Sequence, residues 1–148
     1  MPSSDLIKCH CPGKAVAFLL IPKPKKKKLT PAKVQPVFNR WIRQRDSRDG
    51  WFVCISCQKT LPISQQNAGH YIAAGSCSFL RFNEFNLSGQ CISCNKYKHG
   101  NLIDYRINLI AKIGLEAVEF LESNRHTLKK WTQAELQEIK DKYSKESA

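Results

Sequence analysis

Cys54-Ile55-Ser56-Cys57 and Cys91-Ile92-Ser93-Cys94 are two Cys-X-X-Cys pairs, and residues 58–90 separate them. Each pair can present two thiolates to one cation, so two pairs supply the four soft ligands of a tetrahedral zinc site. Because no ligand position stays open, the pattern predicts a structural zinc that joins two distant chain segments. A redox pair or buried thiols explain one pair equally well, whereas two pairs favour zinc.

The chain carries a large positive charge that is unevenly distributed. Its 24 Lys and Arg residues and 12 Asp and Glu residues give a net charge of +12. Residues 1–50 contain 12 basic and 3 acidic side chains, a net of +9, and residues 51–148 contain 12 and 9, a net of +3. A charge this high favours a polyanionic partner, with nucleic acid first and an anionic membrane surface second.

No apolar segment is long enough to span a bilayer. The longest apolar run is Ala15–Ile21, whereas a spanning helix needs about 20 residues. A lysine block follows that run, which is unlike a signal peptide. We therefore expect a cytoplasmic protein without a membrane partner, in a compartment where cysteines bind metals more often than they form disulfides.

Two regions are predicted: a basic N-terminal arm over residues 1–28, and a domain over residues 29–148 that contains both Cys-X-X-Cys pairs and the C-terminal helices. The arm is either a solvated linker or a phosphate-binding segment, because runs of like charge resist folding. Its Cys9-His10-Cys11 either forms half of a second metal site or binds nothing. The lysine block of the arm includes Lys25, Lys26, Lys27 and Lys28.

Local signals place helix starts at Thr30-Pro31, at Asn101 and at the capping box Thr132-Gln133-Ala134-Glu135. Gly114 interrupts the second of these helices. Trp51–Val53 is predicted to be a short strand after the Asp49-Gly50 turn. Cys77 is predicted to be a small buried residue.

Between the cysteine pairs, Gly69-His70-Tyr71-Ile72 is followed by Asn86 and then by Asn95, which directly follows Cys94. A lone histidine is more often structural than catalytic, but here it lies in a basic protein between two metal-binding pairs. The pattern resembles the HNH, or His-metal finger, nucleases, whose sites are two strands and a helix around a divalent cation. The resemblance implies that His70 is the general base, that Asn86 orients it and that Asn95 binds a catalytic Mg²⁺ or Mn²⁺.

Gly69 departs from the pattern of many HNH enzymes, which carry Asp or His before the catalytic histidine as a second metal ligand. Either one asparagine and the phosphate oxygens suffice here, or another residue supplies a ligand. The candidates are Glu84, Asp104 and His99. His99 lies four residues after Asn95, so an early helix start would place both on one face.

A closer resemblance is to the NinG (Rap) family of lambdoid phages, and it covers roughly residues 30–145. In addition to both cysteine pairs, it rests on several stretches of sequence that resemble the family and occur in the same order. These are Phe38–Asp46, Gly69-His70-Tyr71, Leu80–Asn86, Asp104-Tyr105-Arg106 and Ile113–Glu119. The resemblance implies a phage or prophage endonuclease that cuts branched recombination intermediates, namely Holliday junctions and D-loops. It also implies an α+β fold, a zinc-stapled ββα-metal (HNH-like) core with flanking α-helices.

A four-way junction offers two symmetric cleavage points, so a homodimer is expected. The apolar faces of the helices at 102–122 and 133–145 either form its interface or close the monomer's core. Contacts with DNA phosphates are expected from basic residues near the site and on the first helix: Arg81, Lys96, Lys98, Arg106, Arg40 and Arg43. Arg81 and Arg106 have a structural alternative, which is pairing with Glu84 or Asp104.

Two other functions fit the same sequence. A less selective HNH nuclease shares the site residues and differs only in substrate. A non-catalytic zinc-ribbon DNA-binding module keeps the cysteines and the charge but assigns His70 to the core.

Overall fold

The computed structural model describes residues 27–147, so the predictions on Cys9-His10-Cys11, Lys25 and Lys26 lie outside the described residues. The fold mixes α-helices and β-strands, as the sequence predicts. In chain order the elements are α1 Pro31–Arg45, β1 Ser47–Arg48, β2 Trp51–Val53, β3 Thr60–Pro62, β4 Gln66–His70, β5 Leu87–Cys91, α2 Leu102–Ile113, α3 Leu115–Ser123 and α4 Gln133–Glu146.

Helices α1 and α4 begin where the sequence predicts. The Thr30 side chain accepts a hydrogen bond from the Lys33 N–H, with proline at the first helical position, and Thr132 and Glu135 form the reciprocal capping box. The two helices pack together, with the Phe38 and Tyr143 rings perpendicular at 4.7 Å. Their shared core consists of Val34, Phe38, Ile42, Phe82, Leu87, Leu136 and Tyr143.

The strands form two separate antiparallel sheets. Strands β1, β2 and β3 make a three-stranded meander, and the Trp51–Val53 prediction is confirmed. Strands β4 and β5 make a two-stranded ribbon in which Gln66 pairs with Cys91 and His70 pairs with Leu87. The ribbon therefore carries a cysteine at one end and the histidine at the other.

Helices α2 and α3 are separated by Gly114, whose φ of +88° ends α2. They pack over the connection between β4 and β5, where Cys77 is fully buried as predicted. The helix start predicted at Asn101 is confirmed, because α2 begins at Leu102, but Asn101 has a φ of +43° and its side chain makes no capping hydrogen bond. Within residues 27–147, no helix is long and apolar enough to cross a membrane.

Candidate metal cluster and cleft

Cys54, Cys57, Cys91 and Cys94 come together in one cluster, with all four sulfur atoms within 4.8 Å of one another. The Cys57 and Cys91 sulfurs are 3.9 Å apart, which is far longer than a disulfide bond of about 2.05 Å. A zinc tetrahedron with Zn–S bonds of about 2.3 Å has sulfur–sulfur edges of about 3.8 Å. The predicted convergence of the two pairs is confirmed, and the cluster can hold a zinc ion.

Backbone and side-chain N–H groups surround this cluster. The Cys91 N–H donates to the Cys54 sulfur at 3.3 Å, and the Cys94 N–H donates to the Cys91 sulfur at 3.4 Å. The Asn101 amide reaches the Cys94 sulfur at 3.7 Å. Burial raises the pKa of the Cys54 thiol, and it raises the pKa of the Cys94 thiol to about 12. A bound cation would therefore have to displace protons from these thiols, while the N–H groups would stabilise the thiolates.

A cleft of about 540 Å³ lies beside the cluster, and His70, Asn95 and His99 all line it. His70 is the last residue of β4, and Asn95 lies in the wide helical turn Ser93–Tyr97, which begins inside the second cysteine pair and includes Cys94. The condition of an early helix start is not met, because His99 has a φ of +49° in a left-handed stretch before α2. His99 nevertheless reaches the same cleft as Asn95.

The His70 ring is held by one hydrogen bond to the backbone. Its Nε2 lies 3.4 Å from the Arg81 carbonyl oxygen, and a carbonyl can only accept, so Nε2 carries the proton and the neutral ring has its lone pair on Nδ1. Burial lowers the pKa of His70 below its usual 6.5, and the charge of Arg81 lowers it further. His70 is therefore neutral at pH 7 with one nitrogen able to accept a proton.

The backbone on both sides of His70 is fixed by α2 and α3. The Tyr105 hydroxyl donates to the Gly69 carbonyl at 2.8 Å, and the Tyr71 hydroxyl donates to the Glu122 carboxylate at 2.6 Å. Arg106 also binds Glu122, through two N–H groups at 2.6 and 3.1 Å. Arg106 thus pairs with Glu122 instead of Asp104, and this pair helps to hold the segment that carries His70.

Asn86 is fully buried and ties down the chain between β4 and β5. Its carbonyl oxygen accepts from the Ile72 N–H at 2.8 Å, and its amide donates to the carbonyls of Ile72 at 2.9 Å and Leu80 at 3.1 Å. The Leu80 contact lies next to Arg81, whose carbonyl binds His70. Asn86 therefore fixes the loop that orients the histidine without contacting the ring itself.

Gly69 has no room for a side chain. A Cβ atom there would meet Oε1 of Gln90 and lie 2.9 Å from its Cβ. Gln90 is fully buried, and its amide donates to the Ser56 hydroxyl at 2.8 Å and to the Gly100 carbonyl. Position 69 therefore cannot carry a metal-binding side chain while Gln90 occupies this space. Gln90 in turn joins the ribbon to the first cysteine pair and to the segment after His99.

The remaining predicted residues are distributed around this cleft. The Glu84 carboxylate binds Lys142 and Tyr143, and Asp104 accepts from Asn101, so of the three ligand candidates only His99 lines the cleft. Lys96 and Lys98 are exposed beside it. Arg40 and Arg43 line a second cleft, against Ser64 and Asn67.

Two cleft residues were not predicted from the sequence. Arg125 and His126 lie after α3 and line the same cleft as His70. No motif marks them, because their position depends on how α3 packs against the β4–β5 connection.

Comparison with known proteins settles the family. A family model described as the bacteriophage lambda NinG protein matches residues 21–147. The chain belongs to the NinG family. It is 48% identical over 109 residues to Protein ninG of Escherichia phage lambda, a match that covers 74% of this chain and 51% of that protein. Protein ninG of Salmonella phage P22 is 45% identical over 109 residues, again 74% of this chain and 51% of the relative.

A third NinG-family relative, Protein ninG of Escherichia phage 933W, is 48% identical over 109 residues, 74% of this chain and 52% of that protein. The chain therefore spans about half the length of the curated relatives it matches. No solved structure matches it.

Proposed function

We propose that this NinG-family chain is a metal-dependent DNA endonuclease of the HNH type that cuts branched DNA. One observation carries the proposal: a neutral histidine with a free Nδ1, an asparagine and a second histidine line one cleft beside a four-cysteine cluster. His70 ends β4, and Asn95 and His99 lie between β5 and α2, so the three residues belong to a strand–strand–helix unit. The same order describes the HNH site.

His70 is assigned as the general base. Its Nδ1 takes a proton from the water that attacks the phosphorus atom, while the bond from Nε2 to the Arg81 carbonyl keeps the ring in the required tautomer. Asn95 and His99 would hold Mg²⁺ or Mn²⁺, which supplies charge stabilisation at the phosphate when it is bound. Asn86 is assigned as the residue that positions the loop behind His70.

The cysteine cluster is assigned to a structural zinc. Its four sulfurs leave no open position for a substrate. Asn95 follows Cys94 directly, so a zinc bound by Cys94 would also fix the backbone next to the catalytic cation.

We assign DNA as the partner and a homodimer as the active form, located in the cytoplasm of the bacterial host. The net charge of +12 favours binding to phosphates. A dimer matches the two equivalent cleavage points of a four-way junction. Arg40, Arg43, Lys96 and Lys98 are exposed and available to phosphates.

The test compares a four-way junction with its matched linear duplex in the presence of Mg²⁺, Mn²⁺ or a chelator. We expect junction cleavage with either metal, none with the chelator, and junction binding without cleavage by His70→Ala. Equal cleavage of the linear duplex favours the less selective nuclease. Binding without cleavage by the unaltered protein supports the zinc-ribbon module and overturns the enzyme assignment.

A further inference from the structure

The segment between α3 and α4, residues 124–132, forms one wall of the cleft and is held firmly in place. The buried Cys77 sulfur lies 3.1 Å from the Asn124 carbonyl oxygen and 3.2 Å from the Thr127 carbonyl oxygen, and its single proton is donated to one of them or shared between them. Ser78 exchanges hydrogen bonds with the backbone of Lys129, at 2.6 and 3.0 Å, and its carbonyl accepts from the Trp131 indole at 3.0 Å. This α3–α4 segment is therefore fixed to the connection between β4 and β5.

At its cleft side the segment presents Arg125 and His126 as a bonded pair. The Arg125 Nε donates to the His126 Nε2 at 3.2 Å, and its Nη1 donates to the Glu122 carbonyl at 3.1 Å. A guanidinium can only donate, so His126 Nε2 accepts and the ring proton is on Nδ1. The pair thus offers a neutral N–H from the imidazole and further N–H groups from the guanidinium.

The positive charge of Arg125 acts on the Glu122 carboxylate only from beyond ion-pairing distance. Among residues 27–147, no carboxylate lies within ion-pairing distance of its guanidinium, and the nearby Glu122 carboxylate pairs with Arg106. A metal ion is a poor occupant for this wall, because His126 Nε2 is occupied and a guanidinium would repel the cation. An anion is favoured, since Arg N–H groups bind phosphate oxygens strongly.

We propose that Arg125 and His126 form a phosphate-binding pair that holds the backbone of the DNA strand in the cleft that His70 also lines. This inference rests on the proposed endonuclease function and adds a contact from outside the β4–β5–α2 unit. The ligand is a non-bridging oxygen of a phosphodiester. Such contacts position the strand without reading its bases.

The experiment uses the full chain with Arg125→Gln, His126→Ala and His126→Asn, and Lys130→Gln as the matched control. Lys130 lies on the same segment, is exposed and does not line the cleft. Zinc content and unfolding midpoint are measured first to show that each variant is folded. Binding to a labelled four-way junction is then measured in chelator over a series of salt concentrations, and single-turnover cleavage is measured with Mg²⁺.

For Arg125→Gln we expect weaker binding, a log–log salt slope reduced by about 0.9, and cleavage slowed by up to about a hundredfold through poorer positioning of the strand. His126→Asn should cleave faster than His126→Ala, because an amide N–H can replace the Nδ1 donor. Lys130→Gln should match the unaltered protein. If the Arg125→Gln protein binds and cuts like the Lys130→Gln protein, the proposal of a phosphate-binding pair is overturned and the endonuclease proposal stays intact. If the unaltered protein never cuts but Arg125→Gln alone lowers the salt slope, the endonuclease proposal fails and the phosphate pair stands.

Discussion

His70 shows how one backbone contact and burial can prepare a side chain for proton transfer. The Arg81 carbonyl fixes the tautomer, and burial lowers the pKa. Burial favours the neutral ring at physiological pH, which is the form that a general base requires, and it outweighs the bond to the Arg81 carbonyl, which by itself raises the pKa. Neither burial nor the carbonyl contact needs a charged partner, so the proposed base at His70 would depend on packing of the loop after β4.

Cleavage should therefore depend on pH in one direction. We expect the single-turnover rate to rise with pH through the His70 pKa, below 6.5, and to be level near neutrality. His70→Gln should lose about 10²- to 10⁴-fold. Rates measured between about pH 5 and pH 8 test this, and a flat profile or an unaffected His70→Gln contradicts it.

The lowered pKa of His70 also affects stability. Because the unfolded chain binds the His70 proton more readily than the folded chain, the free energy of unfolding should fall as pH falls below 6.5.

Asn86→Asp tests whether the buried amide holds the loop. The carboxylate keeps an acceptor but loses both N–H bonds, to the carbonyls of Ile72 and Leu80. Each buried carbonyl left unpaired costs about 1–3 kcal/mol, so the free energy of unfolding in urea should fall. Asn83→Asp is the matched control, because Asn83 only accepts, from the Phe85 N–H at 2.9 Å. Equal losses for both variants would contradict the assignment of Asn86.

At the scale of elements, the β4–β5 ribbon depends on close packing of Gly69 against Gln90. Gly69→Ala should lower the free energy of unfolding by about 1–3 kcal/mol, as overpacked sites do. The loss should be smaller in a Gln90→Ala background, because two of the three contacting atoms are then absent. Gly75→Ala, at a position with open space, should be neutral in the same urea unfolding series. If Gly69→Ala lowers the free energy of unfolding by the same amount in the Gln90→Ala background, the backbone conformation, and not this contact, requires glycine.

The helices with local end signals are predictable from sequence, and the strands of the ribbon are not. Thr30-Pro31 and the Thr132–Glu135 box determine helix ends through contacts within one turn. Strand β5 is buried at all five positions although it contains Ser88 and Gln90, so alternation of polar and apolar residues is missing. The Gln90 amide N–H groups and the Ser88 hydroxyl bind distant partners that no local pattern reveals.

The candidate site divides in the same way. His70, Asn86 and Asn95 could be selected because their order and spacing resemble a known motif. Arg125 and His126 could not, because they reach the cleft only through contacts of their segment with Cys77 and Ser78. The sequence favours a contact between Arg106 and DNA phosphates. Its bonds to Glu122 depend on how α2 packs against α3, which no local pattern reveals.

At the scale of the whole molecule, three apolar clusters within residues 27–147 hold the chain together. One joins α1 to α4, and a second joins α2 and α3 to the β4–β5 connection. The third is small and consists of Phe52 with three of the four clustered cysteines. The meander and the cleft side of the ribbon therefore have little apolar core of their own, and a bound zinc would supply the missing connection.

Removing that zinc should therefore unfold the meander and the cleft before the helices. We expect one zinc per chain, and we expect chelation or Cys57→Ser to lower the unfolding midpoint and abolish cleavage while much helical circular dichroism remains. Protons compete for the thiolates, since burial raises the pKa of the metal-free Cys94 thiol to about 12, so zinc should be released as pH falls. Cys77→Ser is the matched control, because it lies outside the cluster and keeps a donor for the carbonyls of Asn124 and Thr127. If the zinc-free protein has the same unfolding midpoint and cleavage rate as the zinc-loaded protein, zinc has no structural role. If Cys77→Ser lowers the unfolding midpoint as much as Cys57→Ser does, the effect is due to general packing.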